Sequence, residues 1–393
     1  MRNWKTSIFI LILFTGCKKL YNPPTITAPN SYLVVEGVVN SGSDTTIIKL
    51  SHTVNIASNI TLNPVNGAVL TVESDQSAVY ALSETQIGVY KAYGLNLDKN
   101  RKYRLRIKTA NEEYLSDFVP VENSPPIDSV NFAIRSDGLN IYSNTHDANN
   151  NTKYYRWDYQ ETWIIHSQFD SFFKSNGDTV LARDYTTDQI YTCWTSTASS
   201  TIILNSSAKL ASDVIVNNPI IFIPSSSEKL SSKYSILVKQ YALTGEAYSF
   251  WQNLKKNTEQ LGSIFDAQPS QINGNIHSTT NPSEPVIGYV SVGSVASARI
   301  FIANQQLPAW ADTPNDPTCK LDTFYYAYTP KGSTIPINQV DQHINYNKGA
   351  TYPEIPVQAI SPPGSPPIAY TASEPSCVDC TLRGTNKQPS FWK

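Results

Sequence analysis

The sequence predicts a mostly β protein with two sandwich-like domains, the second of which carries one amphipathic helix. Short runs of alternating apolar and polar residues recur along the chain between turn-forming residues, a pattern typical of antiparallel strands. One stretch, Thr244 to Gly262, has helical periodicity instead. The consecutive prolines Pro125 and Pro126 force an extended link and therefore predict the boundary between the domains.

The N-terminal domain is expected over residues 31–123 and is predicted to be an immunoglobulin-like β-sandwich. Its clearest strand covers 102–109, where Tyr103, Leu105 and Ile107 alternate with basic residues. We interpret the basic face as the solvated side of an antiparallel sheet. Contact of that face with anionic lipid or with a partner is the alternative.

The C-terminal domain is expected over residues 127–393, as a larger sandwich-like domain with a stapled tail. A long strand at 154–165 places a row of aromatic side chains on one face and Arg156, Asp158 and Gln160 on the other. The aromatic face is interpreted as core, with a sugar-binding row as the alternative. Its members are Tyr155, Trp157, Tyr159 and Trp163.

A polar loop precedes this strand. Asp147, Asn149 and Asn151 alternate as they do in a calcium-binding loop, but the sixth position of the loop is not glycine. Because asparagine and aspartate also stabilise tight turns, we predict an Asn-rich hairpin turn here.

The helix is predicted over residues 245–261. Thr244 can cap its first turn, and Glu246 places a negative charge near its positive end. Apolar residues then recur at steps of three and four, and Phe250 and Trp251 are the largest of them. We interpret this stripe as the face that packs on a sheet, with a ligand shelf as the alternative.

Five cysteines are present, and four of them are expected in the folded domains. In an exported chain Cys193, Cys319, Cys377 and Cys380 are predicted to form two disulfides. A tetrahedral zinc site built from the same four thiolates is the alternative. The preferred pairing joins each member of the C-terminal pair to one of the two upstream cysteines, which would staple the tail onto the second domain.

The N-terminus predicts export and a lipid anchor. Residues 1–16 have the layout of a signal peptide, with a positive start and a short apolar run. The layout resembles a bacterial lipoprotein signal with cleavage before Cys17, although Phe14 stands where leucine is usual. Residues 17–30 are then a lipidated tether.

Composition and motifs disfavour several classes of function. The net charge is −2 and only 16% of residues are charged, so no nucleic-acid footprint is expected. The chain has no GxSxG or HExxH motif and no histidine spacing typical of a metal site. We therefore expect no enzyme activity, no metal and no cofactor. A surface hydrolase with a carboxylate pair stays an alternative, because sequence cannot show which carboxylates meet.

Several segments together resemble one family of uncharacterised Bacteroidetes lipoproteins. They are YLVVEGVVN, SPPIDSV, SKYSILVKQYALTGEAYSFWQNLKKNTEQLGSIFD, EPVIGYVSVGS and CVDCTLRGTNKQPSFW. Genes of this family commonly neighbour TonB-dependent receptors. The resemblance implies an outer-membrane lipoprotein, exposed at the cell surface or facing the periplasm, that serves as an accessory or substrate-capturing partner of such a receptor.

The same resemblance implies O-glycosylation at Asp-Ser/Thr sequences. Three positions match the pattern, namely Thr45, Ser129 and Thr179. A stand-alone surface adhesin or glycan-binding protein is the alternative to the receptor partner, since a β-sandwich alone does not decide function.

Overall fold

The structure is a computed structural model that describes residues 31–54, 59, 62–259, 274–310 and 318–393. It is mostly β with sandwich-like packing, which confirms the predicted fold class. Cys17, the predicted signal peptide and the predicted tether lie outside the described residues. No helix in the described part of the chain is long and apolar enough to cross a membrane.

The strands are numbered in chain order. They are β1 (Leu33–Asn40), β2 (Thr45–His52), β3 (Val69–Ser74), β4 (Val79–Gln86), β5 (Val89–Tyr93), β6 (Lys102–Lys108), β7 (Glu113–Ser116), β8 (Val119–Asn123), β9 (Ile127–Arg135), β10 (Gly138–His146), β11 (Tyr154–His166), β12 (Phe173–Ser175), β13 (Val180–Ala182), β14 (Thr192–Ala198), β15 (Ile203–Ser206), β16 (Val214–Pro224), β17 (Lys233–Leu243), β18 (Ile276–Ser278), β19 (Val292–Ala303), β20 (Asp322–Tyr325), β21 (Ile355–Ile360) and β22 (Ala369–Ser373). The α-helices are α1 (Gly245–Glu259), α2 (Gln339–His343) and α3 (Pro375–Val378).

Strands β1 to β8 and β18 form the first unit, a closed ring around one core. β1, β2, β5, β4, β3 and β6 are neighbours in that order, each antiparallel to the next. β8 is antiparallel to β6 and parallel to the start of β19, which is in turn parallel to β1. β7 pairs with β6, and β18 pairs with β7. The start of β19 therefore closes the ring.

The predicted alternation of β6 is confirmed. Tyr103, Leu105 and Ile107 are fully buried in the core of the first unit. Arg104 and Arg106 lie on the outer face, where both form ion pairs with Glu73 of the neighbouring strand. The basic face is thus the partly exposed side of the sheet and is neutralised across strands.

The second unit is a two-layer sandwich. β16, β10 and β9 form one sheet. In the other sheet, β14 and β15 both pair with one edge of β11. The opposite edge of β11 pairs with β17, which in turn pairs with β19 from Val295 onward. Tyr155, Trp157 and Tyr159 are buried between the two sheets, so their interpretation as core is confirmed.

Strand β19 belongs to both units. Its first residues, Val292 to Ser294, lie between β1 and β8 in the first unit, and the remainder pairs with β17 in the second. The first core also contains four side chains from the segment that leads into β19, which the expected division assigned to the second domain. These are Ile276, Val286, Val290 and Val292.

Gln240 fixes the link between the units. Its buried Nε2 atom donates hydrogen bonds to the Pro125 carbonyl at 2.9 Å and to Thr145 Oγ1 at 3.0 Å. Its Oε1 atom accepts a hydrogen bond from Trp157 Nε1 at 3.0 Å. The predicted boundary at Pro125 and Pro126 is therefore held against the core of the second unit by a satisfied buried amide.

The polar loop before β11 is a turn, as predicted, but not a hairpin, because β10 and β11 do not pair and belong to different sheets. The Asp147 carboxylate accepts hydrogen bonds from the backbone N–H groups of Asn149, Asn151 and Thr152, each at 2.9 Å. A carboxylate that accepts from its own loop in this way stabilises the turn, and no calcium ion is needed to explain its position.

The C-terminal region adds a three-stranded sheet, β20-β22-β21, with a small core around Phe324 and Val340. Two disulfides hold this region. Cys193 of β14 is bonded to Cys380, which joins the region to the second unit, and Cys319 is bonded to Cys377 within the region. This is the preferred pairing of the sequence analysis, and it overturns the zinc alternative because the four sulfurs are consumed.

Gly293 is required where β19 enters the ring. A Cβ atom built there would lie 1.9 Å from the Glu122 carbonyl oxygen, far inside van der Waals contact. We predict that Gly293→Ala destabilises the protein by about 1–3 kcal/mol, because a backbone strand must move to relieve the overlap. Urea denaturation checks this, with Gly42→Ala as the control, since the nearest atom to a Cβ there is 3.4 Å away. Equal stability of the two variants would contradict the close packing.

Removal of the Cys319–Cys377 bridge is expected to destabilise the fold. The bridge closes a loop with a sequence separation of 58, for which chain entropy gives a contribution of about 4 kcal/mol. Urea denaturation of a Cys319→Ser/Cys377→Ser variant measures the loss. Peptide mapping without reductant should recover Cys193 linked to Cys380 in both proteins, and a different connectivity in the wild type would disprove the pairing.

The burial of Glu354 predicts that the free energy of unfolding depends on pH. Burial, assisted by Asp322 and Glu374, raises the pKa of Glu354 from 4.5 to about 7. The folded state therefore holds a proton that the unfolded state releases, so stability falls as pH rises from about 4.5 to about 7. Glu354→Gln should flatten this part of the stability profile. The measurement is denaturation at a series of pH values, and an unchanged slope in Glu354→Gln would exclude this origin.

Candidate functional site

A cleft of about 900 Å³ lies where the two units and helix α1 meet. The first unit contributes the outer face of β1 and β2, including Glu36 and Lys49. The second unit contributes the face of β11, β17 and β19 that points away from its core. Helix α1 and the loop 199–202 complete the walls. We call this space the central cleft.

The floor of the central cleft is the charged face of the long strand β11. Because side chains alternate along a strand, burying Trp157 in the core turns Arg156 and Asp158 to the opposite face. The neighbouring strand β17 places Tyr241 directly across from Arg156 and Lys239 directly across from Asp158. Sequence alternation thus places one cation–aromatic pair and one acid–base pair of positions on the same surface.

Helix α1 forms one wall, and its predicted stripe packs as expected. Thr244 Oγ1 accepts a hydrogen bond from the Ala247 N–H at 3.1 Å, which confirms the N-terminal cap. Ala247 and Phe250 are buried on the second unit, while Trp251 is half-buried and lines the cleft. The predicted packing of the stripe on a sheet is therefore confirmed, and part of the same stripe also forms a wall of the cleft. The end of the predicted helix, at 260–261, lies outside the described residues.

Arg156 is held between two aromatic rings. Its guanidinium carbon lies 4.5 Å from the ring centre of Tyr241 and 4.3 Å from that of Trp251. The attraction between a cation and the electron-rich faces of both rings orients the guanidinium. Its one ion pair in the described structure is to Asp158 at 3.7 Å, which is beyond hydrogen-bond distance.

The hydroxyl groups in the cleft stay neutral. Burial raises the pKa of Tyr241 far above its usual range, and burial also raises the pKa of Tyr289. Both phenols are therefore hydrogen-bonding groups and not anions at neutral pH. Among the described residues that line the cleft there is no histidine or cysteine, and the charges are three acids and three bases. The acids are Glu36, Asp44 and Asp158, and the bases are Lys49, Arg156 and Lys239.

Two carboxylates meet elsewhere, on the first unit. The Tyr114 hydroxyl is hydrogen-bonded to both Glu112 and Glu284, the latter at 3.1 Å. Burial and the charge of Glu112 raise the pKa of Glu284. Neither glutamate lines the central cleft. The described residues contain no group of three or more acidic, histidine or cysteine side chains suited to hold a metal ion.

The predicted modification sites are spread over the surface. Thr45 is half-buried and lines the central cleft, whereas Ser129 on β9 and Thr179 before β13 are exposed and lie outside it. A glycan on Thr45 would therefore occupy the cleft. Glycosylation at all three positions stays a prediction, as does lipidation of Cys17.

Sequence analysis did not identify the central cleft. Arg156 and Asp158 were recognised only as the far side of an aromatic strand, and Glu36, Lys49 and Lys239 were not singled out. The one available cue was a face bearing both charges on the strand next to an aromatic helix. That cue does not say which strands meet the face, because the first unit reaches it through the long-range entry of β19 into the ring.

The chain belongs to a family described as a domain of unknown function (DUF4249), which matches residues 18–299. All residues that line the central cleft fall within the matched part, and the C-terminal sheet lies beyond it. No curated protein matches the chain.

Proposed function

We propose that this protein is a non-enzymatic outer-membrane lipoprotein that captures a solute and serves as an accessory partner of a TonB-dependent receptor. The observation that carries the proposal is the central cleft, whose volume is in the range of small-molecule sites. Its mixture of aromatic faces, neutral hydroxyls and balanced charge suits a polar organic solute.

The proposed anchor suits a role beside a membrane channel. Lipidation at Cys17 would attach the chain to the outer membrane, since several acyl chains make a stable anchor. The tether of residues 17–30 could extend by at most about 50 Å before β1 begins. Because β1 itself lines the central cleft, the cleft would stay within reach of a neighbouring receptor.

A stand-alone glycan-binding protein is the second candidate. Trp251 and Tyr241 both line the cleft, and aromatic rings are the groups on which sugar rings stack. One face of each ring, however, is already in contact with Arg156. This contact leaves less aromatic surface for a sugar than two free rings would offer, and we therefore place solute delivery to a receptor first.

The test is affinity purification of the lipidated full chain from its native outer membrane, followed by mass spectrometry. We expect a TonB-dependent receptor in stoichiometric amount. A Cys17→Ser variant, which lacks the lipid anchor, is the control and should recover much less receptor. Recovery of the lipoprotein alone, in a detergent that preserves known receptor complexes, would reject the receptor partner and place the stand-alone binding protein first.

A further inference from the structure

Arg156 has hydrogen-bonding capacity that the protein does not use. A guanidinium carries five N–H donors, and among the described residues none of those of Arg156 has an acceptor within hydrogen-bond distance. Its Nε atom is fully buried and unpaired. Buried donors are almost always satisfied in folded proteins, so an unpaired one beside a cleft marks a candidate ligand contact. The two flanking rings fix the guanidinium in place before any such partner arrives.

Four of the six charged side chains in the cleft lie opposite a side chain of the other sign. The two exceptions are Arg156 and Asp44. Glu36 lies directly opposite Lys49 in the β1–β2 pair, and Asp158 lies directly opposite Lys239 in the β11–β17 pair. Arg156 lies opposite the neutral Tyr241. Asp44, in the turn before β2, is exposed and has no hydrogen bond or ion pair with the rest of the described chain.

Arg156 on the second unit, whose one ion pair is too long for a hydrogen bond, and the unpaired Asp44 on the first unit therefore line the same cleft. We infer that the central cleft binds a short peptide with free termini, with its carboxylate on Arg156 and its ammonium group near Asp44. This inference rests on the proposed solute-capturing function and names the class of solute.

The chemistry of the cleft favours this class over other anions. A planar carboxylate can accept two parallel hydrogen bonds from one guanidinium. An acidic sugar would satisfy Arg156 but would bring no cation for Asp44. Ser199, Ser200 and Thr201 line the rim and offer hydroxyls to peptide groups.

Isothermal titration of the detergent-solubilised full chain with a series of alanine peptides, from dialanine to pentaalanine, tests the inference. We expect at least one length to bind. Amidation of its C-terminus should weaken binding by about 10- to 100-fold, the usual effect of losing a charge-assisted hydrogen bond. Arg156→Gln should weaken the free peptide equally and should not weaken the amidated peptide further. Arg135→Gln, at a 60% exposed arginine of β9 outside the cleft, is the matched control.

Asp44→Asn tests the other end without disturbing the fold, because this side chain is exposed. It should weaken the free peptide, and it should not affect the N-acetylated peptide. This variant keeps the inference testable if Arg156→Gln loses stability with its ring contacts. Thermal unfolding of both variants shows whether that has happened.

Three outcomes would overturn the inference: no binding of any peptide, equal binding of free and amidated peptides, or preference for trigalacturonate over every peptide. Its failure is distinguishable from failure of the proposed function. A lipoprotein that recovers the receptor but binds no peptide would reject only the peptide, whereas peptide binding without a receptor would reject only the partner.

Discussion

The fold depends on a single main-chain insertion, the entry of Val292 to Ser294 between β1 and β8. The N-terminal strands alone would leave β1 and β8 as open edges, which are sites of unwanted pairing. The inserted residues supply parallel hydrogen bonds to both edges, and Gly293 allows the Glu122 backbone to approach. Because the same strand continues into the second sheet, closing the first core also sets the position of the second unit. A contact between parts of the chain so far apart is expected to form late in folding.

The central cleft is a consequence of that shared strand. β19 supplies Val295 and Ser297 to the cleft lining, next to the β17 residues that flank Arg156. Arg156, held between rings on the cleft floor, loses hydration, and its weak ion pair replaces only part of it. The arrangement therefore does not favour the stability of the folded state. Departures from full local satisfaction of this kind are concentrated at functional sites in natural proteins.

The disulfide-linked tail braces the same sheet from its other edge. Cys380 is bonded to Cys193 of β14, and β14 pairs with β11, the strand that carries Arg156. The ring of Trp392 contacts Trp194 of β14 and Phe301 of β19, with ring centres 6.3 and 5.5 Å apart. The last residues of the chain therefore touch strands on both sides of β11 and β17. A floor restrained in this way loses little further freedom when a ligand binds.

Local pattern was enough to predict many parts of this protein. The alternation of Tyr103, Leu105 and Ile107, the cap at Thr244 and the partners of the C-terminal cysteines all follow from chemistry within a few residues or from a small number of possible pairings. Alternation also showed that Arg156 and Trp157 face opposite ways. The closure of the first unit by β19, and hence the surface opposite Arg156, depended on pairings between strands more than a hundred residues apart. Periodicity specifies which side of a strand is buried, but it does not specify which strand lies beside it. Only the tertiary structure therefore brings Arg156, Trp251 and Asp44 to one cleft.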